Sequence, residues 1–219
     1  MIPMIRFPNL DFLFSFNRKI ASGLVPFMVR TPLRPNDITS LSLLCGFIAA
    51  YFMARGSRVG LLTGAFFLQV SFILDNCDGA VARLKSMQSD FGKWYDLTAD
   101  LLVDFSLWVG LAIAAMSGLK PGCGWVLVAA TAAFVGSFIN FLRVIRDRSK
   151  GHTGKETPDT SNPFWSALHV LSRDGDPSLL VWIMAAFAQP WQFLMLGACY
   201  INFIWMMEMV RGFFRKPEA

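Results

Sequence analysis

Histidine, cysteine and charge are all scarce in this chain. The two histidines, His152 and His169, lack the spacing of a metal pair and are read as solvated. The four cysteines, Cys45, Cys77, Cys123 and Cys199, lie far apart in apolar stretches and form no CxxC. Neither a zinc site nor a disulfide-stapled secreted scaffold fits, and no disulfide is expected. Charged residues make up only 16% of 219, which excludes disorder, and composition equally excludes collagen and a long coiled coil. No internal repeat or low-complexity tract is present. A signal peptide is not expected either, because the apolar stretch Leu10 to Phe16 is interrupted by Asp11 and lacks a small-residue cleavage site.

What is abundant is apolar surface: 54% of residues are hydrophobic and the mean hydropathy is +0.47. The expectation is an all-α integral membrane protein. Apolar runs occupy Ile38 to Ala54, Val59 to Ala82, Phe91 to Ser117, Trp125 to Leu142, Ser178 to Gln189 and Trp191 to Val210. A helix needs about 20 residues to cross the hydrocarbon core, so these predict six transmembrane helices, the fifth being short. Before them, Asn9 to Arg30 reads as an amphipathic helix in the membrane interface. Leu10, Leu13, Phe14, Ile20, Leu24 and Phe27 recur at helical spacing, and Arg18 and Lys19 can meet headgroups. Assigned to alternate sides of the membrane, the 20 Lys and Arg divide 17 against 3, which puts both termini in the cytoplasm. The membrane is a plasma or inner membrane, or the endoplasmic reticulum. Nothing in the basic balance calls for nucleic acid once the excess is explained by topology.

The informative residues are carboxylates in or at the ends of apolar spans: Asp75, Asp78, Asp96, Asp100, Asp104 and Glu208. A charged side chain at mid-membrane costs about 2.5 to 3.5 kcal/mol on insertion scales. Arg83, Lys85 and Lys93 are too few to neutralise all of these carboxylates. Asp75 and Asp78 are spaced i, i+3, with Ala82 on the same stripe; Asp96 and Asp100 are i, i+4, with Gly92 one turn earlier. The short connection Leu84 to Asp90 predicts that the two helices are antiparallel neighbours whose acidic faces meet. Four carboxylates with no His or Cys on the shared stripe suit a hard cation, Mg²⁺ or Mn²⁺. Two such ions balance four negative charges and can grip a diphosphate.

The residues Asp75, Asp78-Gly79-x-x-Ala82-Arg83, then Gly92-x-x-x-Asp96-x-x-x-Asp100 resemble the signature of the CDP-alcohol phosphotransferases. Eight fixed positions coincide by chance about once in 10⁹ trials at average residue usage. Pro35-Asn36-Asp37-Ile38-Thr39 is similar to the family's Pro-Asn-x-x-Thr segment. The resemblance implies a two-metal enzyme that moves a phosphoalcohol group from a CDP-alcohol to a second alcohol and releases CMP. It implies Asp75, Asp78, Asp96 and Asp100 as metal ligands and Asp100 also as the catalytic base. Asn36, Thr39, Asp78, Gly79, Ala82, Arg83 and Gly92 would hold the nucleotide, and the enzyme would be a homodimer. On this reading residues 1–37 are the interfacial segment, 38–212 the six-helix transferase domain and 213–219 a C-terminal tail.

Plainer roles compete at several positions. Gly79, Ala82 and Gly92 also suit helix packing. Arg83 and Lys85 also suit a cytoplasmic positive rim, and Asn36 and Thr39 could cap the first spanning helix. Asp104 is read as a supporting or packing residue rather than a ligand, and Glu208 as snorkelling to the interface. Arg143, Arg146 and Arg173 could dock a phosphorylated polyol acceptor, or equally lipid headgroups. Leu74-Asp75-Asn76-Cys77-Asp78-Gly79 is also similar to amino-alcohol phosphotransferases, whereas Gly92-Lys93-Trp94-Tyr95-Asp96 followed by Asp104 is similar to members that handle inositol phosphates. A phosphorylated polyol with a CDP-diacylglycerol donor is the leading reading. An aspartate-rich prenyltransferase and a divalent-cation pathway are the alternatives outside the family.

Overall fold

The computed structural model describes residues 16–117, 124–149, 178–187 and 189–214. These form seven helices: α1 (Phe16–Arg30), α2 (Pro35–Ala54), α3 (Arg58–Leu84), α4 (Asp90–Ser117), α5 (Gly124–Ser149), α6 (Ser178–Phe187) and α7 (Pro190–Phe214). Four stretches, α2, α3, α4 and α5 up to Arg146, are long and apolar enough to cross a membrane. Large side chains such as Phe47, Phe66, Val109, Ile113 and Val128 are exposed along them. So much exposed apolar surface suits lipid and would be a liability in water.

Local chemistry sets the helix ends. Pro35 opens α2, and the Arg34 amide donates to the Asp37 carboxylate at 2.9 Å. Asp37, rather than Asn36 or Thr39, therefore reaches back to cap this helix. Gly56, at φ 67°, ends α2 in the left-handed region, and Ser57 caps α3 by accepting from the Gly60 amide at 3.1 Å. Ser89 does the same for α4, accepting from Gly92 at 3.0 Å. α5 runs to Ser149, beyond the apolar run that ended at Leu142. Arginines end a hydrophobic segment without ending a helix, being good helix formers themselves. α6 and α7 are separate helices, with Pro190 opening the second and the Gln192 side chain accepting from the Gln189 amide at 2.8 Å.

α2 is the central element. It packs closely against both α3 and α4, whereas α3 and α4 touch each other only sparsely. Small residues make the approach possible: a methyl group at Gly110 would lie 2.5 Å from the Ala50 carbonyl oxygen. Between α2 and α3, Ser42 and Ser71 each donate to the other's backbone carbonyl at 2.9 Å. The neighbour relation expected for α3 and α4 thus takes another form. The two lean on a shared partner and come together through side chains, among them Asp75, Asp78 and Asp96. α5 and α7 pack on each other and on α4, and α6 on α3.

α1 docks along α3 through Asn17, Ala21 and Val25, spaced i, i+4, i+8, all buried. Ala21 and Val25 meet Cys77 and Val81, and the Gln69 side chain donates to that of Asn17. The Trp182 indole also donates to Gln69, at 3.2 Å, so this one glutamine joins α1, α3 and α6. Leu24 and Phe27, expected on the apolar stripe, are exposed, as are Arg18 and Lys19. Smaller side chains take the helix contact because they permit closer packing. Leu10, Leu13 and Phe14 lie outside the described residues.

Candidate active site

The acidic residues stand in the last turns of α3 and the first turns of α4. Oxygens of Asp75, Asp78 and Asp96 all lie within 4.8 Å of one another. Asp75 has both Asp96 and Asp100 as near neighbours. Asp78 is buried, at 6% exposure; Asp75 and Asp96 are half-buried and Asp100 is exposed. Three expected ligands therefore form the tight group, and the fourth joins it at the open edge through Asp75.

The positions of these groups follow from helix geometry. On α3 the i, i+3 pair aims both carboxylates toward Asp96 of α4. Cys77 falls on the opposite side, buried with its Sγ 3.9 Å from the Ala21 carbonyl. The Thr39 hydroxyl on α2 donates to Asp78 and also lies 3.2 Å from the Pro35 carbonyl. Like charges this close repel strongly unless a cation lies among them. The group offers only oxygen donors, which fits a divalent hard cation such as Mg²⁺ or Mn²⁺ and does not fit a thiophilic metal.

Beside the carboxylates runs a shelf of small residues. A methyl group at Gly79 would meet only the Arg83 guanidinium, at 3.5 Å, so this face is open and the arginine lies over it. A methyl at Gly92 would come to 3.2 Å from the Asn36 Oδ1 and 3.1 Å from the Ser89 Oγ. Glycine thereby lets Asn36 sit against the first turn of α4. Ala82 is half-buried in the last turn of α3. The structure thus places Asn36, Thr39, Asp78, Gly79, Arg83 and Gly92 at the same end of α2, α3 and α4.

Lys85 turns to the connection between α1 and α2. Its ammonium donates to the carbonyls of Thr31 and Leu33, at 2.8 and 2.7 Å. Lys93 pairs with Asp90 on the surface, at 2.8 Å. Arg143 is half-buried and donates to Asn140 Oδ1 at 3.0 Å, while Arg146 is exposed. Arg173, His152 and His169 lie outside the described residues, as does the side chain of Glu208.

Two further polar links join α4 to its neighbours. The hydroxyls of Ser40 and Tyr95 are 2.9 Å apart, tying α2 to α4. One turn beyond Asp100, Asp104 lies beside Ser137 on α5, and the Ser137 Oγ accepts from the Trp108 indole at 2.9 Å. Ser137 could have been noticed in sequence only as a hydroxyl in an apolar run, and its pairing required the fold.

The family model of the CDP-alcohol phosphatidyltransferases matches residues 33–205. A bifunctional IPC transferase and DIPP synthase of Aquifex aeolicus is 32% identical over 130 residues, covering 57% of this chain and 28% of that protein. An archaetidylinositol phosphate synthase of Methanothermobacter thermautotrophicus is 34% identical over 115 residues, covering 52% of this chain and 57% of that one. The chain thus spans less than two thirds of either relative's length. In fold it is similar to the Mycobacterium tuberculosis phosphatidylinositol phosphate synthase crystallised with manganese and citrate. The TM-score is 0.56 at 19% identity, with 93% of each chain covered. With the match spanning most of its length and both halves of the acidic signature, this chain belongs to the CDP-alcohol phosphatidyltransferase family.

Proposed function

We propose that this chain transfers a phosphoalcohol group from a CDP-alcohol to the hydroxyl of a second alcohol and releases CMP. One observation carries the reading: oxygens of Asp75, Asp78 and Asp96 lie within 4.8 Å of one another, with exposed Asp100 beside Asp75. Two divalent cations held by Asp75, Asp78, Asp96 and Asp100 would neutralise the diphosphate and the charge growing on the leaving CMP.

The protein's own groups account for the rest. Asp100, the exposed member, accepts the proton of the acceptor hydroxyl. The acceptor oxygen bonds to the phosphorus that carries the donor alcohol, and the bond from that phosphorus to CMP breaks. Thr39 fixes one Asp78 oxygen so that the carboxylate keeps its aim. Arg83, lying over Gly79, offers a fork of N–H donors to diphosphate oxygens. Asn36 and Gly92 form the edge on which the nucleotide rests.

For substrates, the reading is a CDP-diacylglycerol-like donor and a phosphorylated polyol acceptor. The names of the relatives, inositol phosphate synthases among them, support this choice over an amino-alcohol. Arg143 and Arg146, at the end of α5, would meet the acceptor phosphate, together with Arg173. Membership of the family speaks against the prenyltransferase and the cation pathway. Six spans, an interfacial α1, both termini in the cytoplasm and a homodimer belong to the same proposal. The division of Lys and Arg, 17 against 3, supports the topology.

The test is CMP release by purified protein given Mg²⁺, CDP-diacylglycerol and a panel of acceptors including inositol phosphate, glycerol phosphate and free amino-alcohols. The expected result is release that needs a phosphorylated polyol and stops with EDTA. No CMP with any donor and acceptor would overturn the reading.

A further inference from the structure

The half-buried ammonium of Lys85 is used in a way that neither a phosphate ligand nor a solvated rim lysine would be. Residues 31–34 connect α1 to α2. The segment is Thr31-Pro32-Leu33-Arg34, followed by Pro35, and the two prolines contribute no amide donors. The carbonyls of Thr31 and Leu33 bracket Pro32, and Lys85 binds both, at 2.8 and 2.7 Å. Two of its three protons are thereby committed to the linker.

The backbone of α3 is shaped to deliver this side chain. Its end is a Schellman turn: Met87 donates to the Ala82 carbonyl at 2.9 Å and Ser86 to that of Arg83 at 3.3 Å. Ser86 takes the left-handed conformation that such a turn requires, φ 54°. The carbonyls of Ala82 and Arg83, both positions of the acidic signature, are thus tied into the turn that holds Lys85.

Downstream of the clamped linker come the α2 residues that meet the site. Asn36 lies against Gly92, and Thr39 donates to Asp78. A shift of the linker is passed to both within the first turn of α2. We infer that Lys85 is a positioning residue for the nucleotide site: by holding the α1–α2 linker against the end of α3, it sets where Asn36 and Thr39 stand relative to Asp78 and Gly92. The inference rests on the nucleotide role proposed above for Asn36 and Gly92.

The test compares wild type with Lys85→Met, Lys85→Gln and Lys85→Arg in two measurements. One is calorimetric binding of CDP in the presence of Mg²⁺; the other is steady-state CMP release. Lys85→Met is expected to weaken CDP binding and raise the donor KM, each about tenfold. At saturating Mg²⁺ the kcat and the acceptor KM should stay within about twofold, Lys85→Gln should fall between, and Lys85→Arg should restore most of the binding. A merely structural lysine would lower thermal stability without this split. Unchanged CDP binding in folded Lys85→Met or Lys85→Gln, or loss of kcat with donor KM unchanged, would overturn the inference. Wild type that binds CDP without releasing CMP would overturn the transferase reading and still allow Lys85 to be judged from binding. Wild type that binds no CDP would overturn both.

Discussion

The Thr39 hydroxyl donates to the buried carboxylate of Asp78, joining the first turns of α2 to the last turns of α3. It is the point where the Pro35-Asn36-x-x-Thr39 segment and the acidic signature, far apart in sequence, become one site. Loss of such a supporting partner typically costs a metal site 10-fold to 100-fold in affinity or activity, about 1.4 to 2.7 kcal/mol. Thr39→Val is expected to lower Mg²⁺ affinity, read from the Mg²⁺ dependence of CMP release, within that range. Thr39→Ser keeps the hydroxyl and should stay within a few-fold of wild type. Equal Mg²⁺ dependence in all three would remove the link.

Gly92 makes a separate prediction. A methyl there would come to 3.2 Å from Asn36 Oδ1 and 3.1 Å from Ser89 Oγ, tighter than ordinary contact but relieved by a small side-chain shift. Gly92→Ala should therefore raise the donor KM about tenfold by displacing Asn36. Alanine is the better helix former, so the thermal midpoint should stay within a few degrees. A large fall in stability with unchanged KM would make Gly92 a packing residue only.

Gly110 shows the opposite pattern. Its missing side chain admits the Ala50 carbonyl, 2.5 Å from where a methyl would be, and a backbone oxygen cannot rotate away. Overpacking costs about 1 to 3 kcal/mol. Gly110→Ala should lower the unfolding midpoint in detergent and reduce activity by parting α2 from α4. Unchanged stability would contradict the close approach of these helices.

Ser86 carries a positive φ of 54° in a turn that favours glycine. A non-glycine residue pays about 1 kcal/mol there. Ser86→Gly is expected to stabilise the protein modestly while CMP release and donor KM are unchanged. Destabilisation would show that the turn is held by something other than this conformation.

Much of this was legible in the sequence because membrane helices announce themselves. The apolar runs locate α2, α3 and α4 almost to the residue, and the i, i+3 and i, i+4 spacings place Asp75, Asp78, Asp96 and Asp100 on facing stripes. What the pattern cannot show is which helices are in backbone contact. In lipid the apolar face points everywhere, so nothing along the chain marks α2 as the element wedged between α3 and α4. The small residues that make that contact, Ala50 and Gly110, look like any others. Polar pairs were equally hidden. Asp37, not its neighbours, caps α2 because only a residue three positions into the helix can reach back to Arg34. Lys85 looked like a rim cation until its carbonyl partners, more than fifty positions earlier, were in view. On α1 the inward face is the one with small and polar residues, Asn17 and Ala21, because α3 offers Gln69 and a tight seam there.

The central claim is that Asp75, Asp78 and Asp96 hold a divalent cation together, and Mn²⁺ binding to the purified protein tests it most directly. Free Mn²⁺ would be followed by electron paramagnetic resonance in wild type, Asp96→Asn and Asp104→Asn. The account predicts saturable binding in wild type, loss of at least about tenfold in affinity in Asp96→Asn, and little change in Asp104→Asn, because Asp104 lies outside the group of three carboxylates. Equal Mn²⁺ binding by wild type and Asp96→Asn would contradict it.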